Sequence, residues 1–318
     1  MFMYRPEIKV LDCSIRDGGL MNKHQFSFEF VRSVYKALSE AGVDYIELGY
    51  RNSKKKFSPD EYGPWKFCDD EDILRVIDGI ESKSKISVMG DVGRVDMDDI
   101  KPASDSPVDM IRTAVYVKDI DKAIYMANEF HDKGYETTIN VMAISRDQGP
   151  ELDEAIEQLE HECKCDVVYI VDSFGALYQE TVQHLMKRFK KVIKSKEIGF
   201  HGHNNQQLAF SNTIEAIIQN ANRLDGTVFG IGRAAGNCHL ELLLGFLKNP
   251  KYDIKPILDL ISKEFIPLRE KLEWGYTIPY ALTGIINEHP RTAMALRASE
   301  DRDNYSEFYE DLVNSKMD

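Results

Sequence analysis

The stretch DVVYIVDSFGALYQETVQHLMKRFKKVIKSKEIGFHGH (Asp166–His203) changes pattern twice. Its first eight residues are apolar and β-branched almost without interruption, as in a strand buried on both faces. QETVQHLMKRFKKVIK (179–194) then spaces its apolar residues at helical intervals, and EIGFHGH (197–203) returns to the strand pattern. A strand, a crossover helix and a second buried strand make a βαβ unit with parallel strands.

The alternation continues in both directions. Strands are predicted at KVLDCS (9–14), YIELGY (45–50), KISVMGDV (85–92), DMIRTAVYV (109–117), ETTINVMAI (136–144) and RLDGTVFGI (223–231), eight with the two above. Amphipathic segments lie between them, including Ser27 to Ala41 and DIDKAIYMANEFHDKG (119–134), and several end near glycine or a charged turn. Eight such repeats in about 250 residues fit an α/β fold of the (β/α)₈ TIM-barrel type better than an open Rossmann-like sheet. Residues 1–249 form the expected barrel domain. Residues 250–318 read as a helical C-terminal extension, with Pro256, Pro267, Pro279 and Pro290 as breaks. That extension is expected to pack on the barrel or on a second copy, giving a homo-oligomer.

Bulk properties narrow the function. Apolar residues make up 43% of the 318, enough for a large core, and a net charge of −13 argues against nucleic acid or an anionic membrane as partner. The basic runs Lys54–Lys56 and KRFKKVIKSK (187–196) read as solvated faces. No apolar run has the ~20 residues of a membrane span, and MFMYRPEIKV (1–10) leads into a strand without a signal-peptide pattern. Five cysteines without disulfide spacing point to the reducing cytoplasm, and CKC (163–165) reads as a helix end running into a strand.

Chemistry in such a barrel sits at the C-terminal strand ends. LDCSIRDGGL (11–20) places Arg16 and Asp17 after the first strand, His201 and His203 end the seventh, and Asn237 follows the eighth in GIGRAAGN. Barrel closure makes strand eight the neighbour of strand one. Residues i and i+2 of a strand share a face, so both histidines can address one point. One carboxylate, two imidazoles and one amide oxygen suit Mn²⁺, Mg²⁺, Co²⁺ or Zn²⁺.

SIRDGG, HGHNN and GIGRAAGN, in that order, resemble the DRE-TIM metallolyase (HMGL-like) superfamily over roughly Lys9 to Leu247. VDSFGAL (171–177) and the GxGxxAGN pattern resemble its 4-hydroxy-2-oxovalerate aldolase branch most. The resemblance implies a cytoplasmic, metal-dependent carbon–carbon lyase that releases pyruvate from a 2-oxo acid, with Mn²⁺ the first choice of ion. Asp17, His201, His203 and Asn237 match the metal ligands. Arg16 matches the arginine that holds the enolate oxygen, and Ser173 a serine that seats the pyruvyl carboxylate. Glu47 and Asp172 are expected as orienting carboxylates, and Glu47 is also counted with Arg16, Ser173 and Arg233 among groups meeting the substrate.

One position departs from the pattern. Where the aldolase branch carries a histidine base, RDGGL has Leu20, which cannot move a proton. Tyr280 in YTIPYAL is the expected catalytic hydroxyl in its place, and His24 reads as a helix-start residue. Arg233, beside Gly230, Gly232 and Gly236, could assist an anionic substrate in the loop where barrels often hold phosphate. The loop from Lys54 to Asp70, with Phe57, Tyr62 and Trp65, is either a lid or a surface excursion with its own cluster. Alternatives of other classes stay open: a Claisen-type acyl-CoA condensing enzyme, an HMG-CoA-lyase-like enzyme, a two-His-one-carboxylate iron oxygenase, and a barrel that binds metal and keto acid without turnover.

Overall fold

The computed structural model describes residues 5–315, so Met1–Tyr4 of the amino-terminal stretch lie outside the described residues. Eight parallel strands close in sequence order: β1 (Lys9–Asp12), β2 (Tyr45–Tyr50), β3 (Lys85–Asp91), β4 (Met110–Val115), β5 (Glu136–Val141), β6 (Val167–Asp172), β7 (Glu197–Gly202) and β8 (Arg223–Gly226). The seam pairs Leu11 with Asp225 and Asp12 with Gly226. The expected (β/α)₈ barrel is therefore present. Several strands stop before their apolar runs do. After β8, for example, Val228–Gly230 forms a 3₁₀ turn with Phe229 at φ 54°, so its apolar residues pack in a turn.

Strand parity sorts the interior. Ile46, Leu48, Val88, Ile111, Ile139, Val168, Phe200 and Leu224 face outward into one core with helix residues such as Leu38, Ile73, Phe130, Leu159 and Phe189. Each such burial is worth about 1.5–3 kcal/mol. Inward positions form smaller clusters, including Leu11, Cys13, Tyr45 and Met110 low in the barrel and Tyr50, Met89 and Ala114 with Leu20 and Met142 higher up. Glu47, Arg112 and Asp225 share those inward parities, which is how charges reach the barrel axis.

The helices are α1 (Ser14–Gly18), α2 (Phe28–Glu40), α3 (Asp70–Ile77), α4 (Ile120–Asp132), α5 (Pro150–His161), α6 (Gln179–Val192), α7 (Ala209–Ile218) and α8 (Leu240–Leu247). Ser27 caps α2 by accepting the Phe30 N–H at 3.2 Å. The β3–β4 crossover holds only the 3₁₀ turns Met97–Asp99 and Ala103–Asp105. Its sequence, VGRVDMDDIKPASDSPVD (92–109), combines aspartates with two prolines and has no helical periodicity.

Beyond the barrel lie α9 (Lys255–Leu260), a π-turn at Ile261–Phe265, α10 (Ile266–Arg269), α11 (Ile278–Ile285), α12 (Arg291–Arg297) and α13 (Tyr305–Asn314). Three of the four prolines start or cap helices here and do not break them: Pro256 and Pro279 occupy first turns and Pro290 caps α12, whereas Pro267 follows the π-turn inside one continuous helical run. The first-turn N–H that proline lacks has no helical partner in any case. Ile257, Leu260, Phe265 and Trp274 join the main barrel core, whereas Tyr280, Ala293, Phe308 and Leu312 pack on Ala234 and Ala235 of the β8 loop. Among the described residues, no helix is long and apolar enough to cross a membrane.

Of the two readings of the 54–70 loop, its own cluster is what forms. Lys66 Nζ sits 4.4 Å from the Phe57 ring centroid, 5.0 Å from Tyr50 and 5.2 Å from Tyr62. Trp65 is fully buried and donates its indole N–H to the Phe26 carbonyl at 2.8 Å. The loop's aromatics cage a lysine and do not roof the barrel mouth.

Candidate active site

Local turn chemistry brings Arg16 and Asp17 inward. Asp12 ends β1 and accepts from both the Ser14 N–H (3.0 Å) and hydroxyl (2.6 Å), which folds the chain into α1. The Ser14 oxygen in turn accepts the Val228 N–H at 2.8 Å, tying the ends of β1 and β8 together. His203 and Asn237 form an antiparallel bridge, so the segment after β8 returns beside the end of β7. Asp17 then accepts from Arg16 Nη1 at 2.7 Å through Oδ1 and from Asn237 Nδ2 at 2.6 Å through Oδ2. The His201 and His203 rings stand 5.1 Å apart, nearly perpendicular. Asp17, His201 and His203 all line one cavity of about 500 Å³.

Behind them runs a buried chain of charges. Arg16 Nε donates to Glu47 Oε2 (2.8 Å), which also accepts from Arg112 Nη1 (3.1 Å). Arg112 Nη2 donates to Asp225 Oδ2 (2.6 Å), which faces His201 Nδ1 at 2.9 Å. Asp17 and His201 are thus joined through five consecutive contacts, and Arg112 also stacks on Tyr169 at 4.5 Å. Two expected roles change. Glu47 is fully buried beneath Arg16 and does not line the cavity, so it positions the arginine and does not meet substrate. Asp172 accepts the Ala176 and Leu177 N–H groups and holds the β6 loop, while Asp225 orients His201. The sequence did carry a signal for Arg112 and Asp225: a lone charge in an otherwise apolar strand must be paired when buried.

The donors fit a divalent cation. Burial opposes ionisation of Asp17, but Arg16, His203, His201 and Arg233 outweigh it and hold the carboxyl below the usual carboxylate range. Burial pushes His203 down to about 3, leaving a neutral imidazole with a free lone pair. His201 engages Asp225 through Nδ1, which leaves Nε2 toward the cavity. Asn237 Oδ1 is buried with no partner, and its amide can present oxygen or nitrogen to Asp17's neighbourhood. Gly232 makes the approach possible: at φ 158° it lies where a Cβ would overlap both Asn237 Nδ2 and Asp17 Oδ2. Cys13, His201 and Asp225 also offer atoms within 4.8 Å of one another. That trio is a poor site, because burial raises the Cys13 thiol and Asp225 is already committed to Arg112 and His201.

The remaining expected residues divide. Arg16 lines the cavity, and its Nη2 has no protein partner among the described residues. Leu20 lines it beside Tyr50, Met89 and Ala114, an apolar wall where a base was missing. Ser173 lines it too, its oxygen accepting the Ala143 N–H at 2.8 Å, which leaves the hydroxyl proton to donate. Arg233 lines it as well. Tyr280 does not: its ring lies in the tail cluster with Ala234 and Phe308, so the catalytic assignment is withdrawn. The tail instead contributes His289 and Arg291. His24, shortly before α2, is buried edge-on to Tyr50 with an unpartnered Nδ1.

Comparison with known proteins adds a consistent set of likenesses. Residues 7–262 match the family described as HMGL-like. The 4-hydroxy-2-oxovalerate aldolase of Thermus thermophilus is 30% identical over 284 residues, covering 86% of this chain and 81% of that one. The enzyme of the same name from Pelotomaculum thermopropionicum is 32% identical over 249 residues, 78% and 72% of the two chains. The crystal structure of the N-terminal domain of a candidate aldolase from Bacteroides vulgatus superposes with a TM-score of 0.78 at 31% identity, covering 92% of this chain and 97% of that one. HMG-CoA lyase from Brucella melitensis shares the fold at a TM-score of 0.66 and 17% identity, over 83% and 99% of the chains.

Proposed function

The chain belongs to the HMGL-like family and is a carbon–carbon lyase, and from that premise we propose that it is a divalent-metal-dependent aldolase cleaving a 4-hydroxy-2-oxo acid to pyruvate and an aldehyde. The observation that carries the reading is the convergence of Asp17, His201 and His203 on one cavity beside an arginine with a free donor. Asp17, His201 and His203, with Asn237 in reserve, would hold the ion, which when bound polarises the 2-oxo group. Arg16 supports the negative oxygen that develops at C2 as the C3–C4 bond breaks, through a charge held in place by Glu47 and Asp17. Ser173 donates to the substrate carboxylate.

Proton transfer falls to groups other than Leu20 and Tyr280. Tyr50 and Asp91 line the cavity close to the apolar wall, and Met89 and Asp91 share the inner face of β3. Burial holds Asp91 above the usual carboxylate range against the pull of Arg94, Lys66 and Arg16, which improves it as a proton acceptor for the C4 hydroxyl. Burial keeps Tyr50 protonated between turnovers; its Oη gives a proton to C3 and regains the one Asp91 took from the C4 hydroxyl, so both groups end the cycle as they began. Tyr50→Phe and Asp91→Asn should each lower kcat by roughly 10²–10⁴-fold with KM little changed.

The test is pyruvate release from 4-hydroxy-2-oxopentanoate by the Mn²⁺-loaded protein, read through NADH oxidation by lactate dehydrogenase. His201→Ala and His203→Ala should abolish both metal retention and release. No pyruvate from this or longer 4-hydroxy-2-oxo acids, with metal bound, would overturn the reading. The same reading makes Mn²⁺ the preferred ion and treats residues 1–249 and 250–318 as a barrel and an extension acting on one cavity. Five free cysteines suit the cytosol, and exposed Ile266, Tyr276, Ile278 and Ile285 suit self-association through the tail.

A further inference from the structure

The charges lining the cavity do not balance. Arg16 pairs with Asp17 at 2.7 Å, Arg94 with Asp91 at 2.8 Å and Lys122 with Asp119 at 2.6 Å. Arg233 and Arg291 remain, and neither has a carboxylate partner among the described residues. In a chain of net charge −13, two uncompensated guanidiniums at one mouth form a local exception to the overall field.

The donors there lack an acceptor. The Arg291 backbone N–H points to His289 Nδ1 at 3.1 Å, which makes Nδ1 the acceptor and puts the imidazole proton on Nε2. That Nε2–H stands 3.4 Å from Arg233 Nη1, which is also a donor. Arg233 Nε is buried with no partner. Two N–H groups therefore face each other with nothing between them to accept, and a third on the same guanidinium is unpaired as well. Phe174 holds the imidazole edge-on at 5.6 Å. Burial pushes His289 down to about 4, with Arg233, Arg291 and Arg146 adding to the effect, so the ring itself stays neutral. Arg146 is spent on Glu288.

Arg233 links the two ends of the cavity. It contributes to the field at Asp17 and His203 on one side and at His289 on the other. We propose that Arg233, His289 and Arg291 form a subsite for a second anionic group, so that the substrate is a 2-oxo acid with a carboxylate or phosphate at its far end. This rests on the aldolase reading, in which the 2-oxo acid end lies at Asp17, His201 and His203. A bound anionic oxygen between Arg233 Nη1 and His289 Nε2 satisfies both of these facing donors at once.

The experiment is calorimetric binding to the Mn²⁺-loaded protein of acids matched in length and different at the far end. 2-Oxoglutarate and 2-oxoadipate are compared with 2-oxopentanoate and 2-oxohexanoate, and 2-oxo-4-phosphonobutanoate supplies the phosphate-like end. The charged acids should bind at least about tenfold more tightly than their methyl-ended partners, the scale of one charge-assisted hydrogen bond. The stronger of the carboxylate and phosphonate identifies the natural terminus. In Arg233→Met, and in Arg291→Met should the first fail to fold, the ratio between charged and methyl-ended acids should fall toward one. Equal binding of the matched acids to the wild-type protein overturns the subsite even where pyruvate release is found. A retained preference without pyruvate release from any 4-hydroxy-2-oxo acid overturns the aldolase reading and supports the subsite.

Discussion

Replacing Arg112 with methionine tests whether the buried chain of charges holds the metal ligands. The side chain is fully buried and joins Glu47 to Asp225. Methionine keeps much of the apolar stem and removes the guanidinium. Glu47 retains Arg16 at 2.8 Å, so the loss falls on Asp225, left with only His201 at 2.9 Å. Removing one partner of a buried pair costs about 3–5 kcal/mol. At about 2.1 cal/mol/K per residue, the unfolding entropy of the 318-residue chain is on the order of 0.7 kcal/mol/K, so Tm should fall by roughly 4–7 °C. Mn²⁺ affinity should drop up to roughly 10-fold, because Asp225 stays on His201 but is no longer held in place by Arg112. Urea unfolding of chelator-treated protein and calorimetric Mn²⁺ titration read the two effects separately. Arg112→Met combined with Asp225→Asn removes the stranded charge and should recover at least about 1 kcal/mol of stability without recovering metal affinity. A single variant with unchanged stability and unchanged Mn²⁺ affinity would refute the reasoning.

Leu20→His puts a polar ring against Tyr50, Met89 and Ala114 and should lower native turnover about tenfold or more, through the cost of burying an unpaired polar group; a rise in pyruvate release would show a lost base restored. Gly232→Ala drives a Cβ into Asp17 and Asn237 and should leave a folded protein that loses most of its metal, checked by circular dichroism and metal analysis. His24 is buried and its pKa is pushed down to about 3 by burial, with Lys66 and Arg16 adding to it. The unfolded chain therefore takes up the proton first, and stability should fall as pH drops from about 6.5. The loss is roughly 2 kcal/mol by pH 5. His24→Asn, which tolerates the φ of 62° at this position, should flatten that slope in urea titrations relative to the parent.

The barrel was readable because burial on both strand faces writes long β-branched runs, and helical spacing between them leaves few alternatives. Arg16, Asp17, His201 and His203 were readable because closure and strand parity alone bring strand ends together. Arg112 and Asp225 escaped notice for a different reason. Their contact spans 113 residues of sequence, and a single charge inside an apolar strand carries no record of its partner. Tyr280 was misplaced because a short tail helix such as α11 shows a hydroxyl without showing which way it faces. His289 and Arg291 were missed because they sit in the turn before α12 and in its first residue, where no periodicity marks them. The β3–β4 crossover shows the converse: its aspartates and prolines were visible, but the repeat around it suggested a helix.

The charge chain draws its members from β2, β4, β7 and β8 and from the turn after β1. No contiguous half of the barrel contains a complete set. A fragment ending after β4 would hold Arg112 without Asp225, and one beginning at β5 would hold Asp225 without Arg112. The first keeps Arg112 on Glu47, but the second would bury Asp225 with only His201 beside it, and that half-built species should be costly to populate. The interior that orients the ligands therefore also discourages assembly in stages. Separately purified halves split between β4 and β5 should gain structure only when mixed, and circular permutants should fold as long as the seam between β1 and β8 still closes.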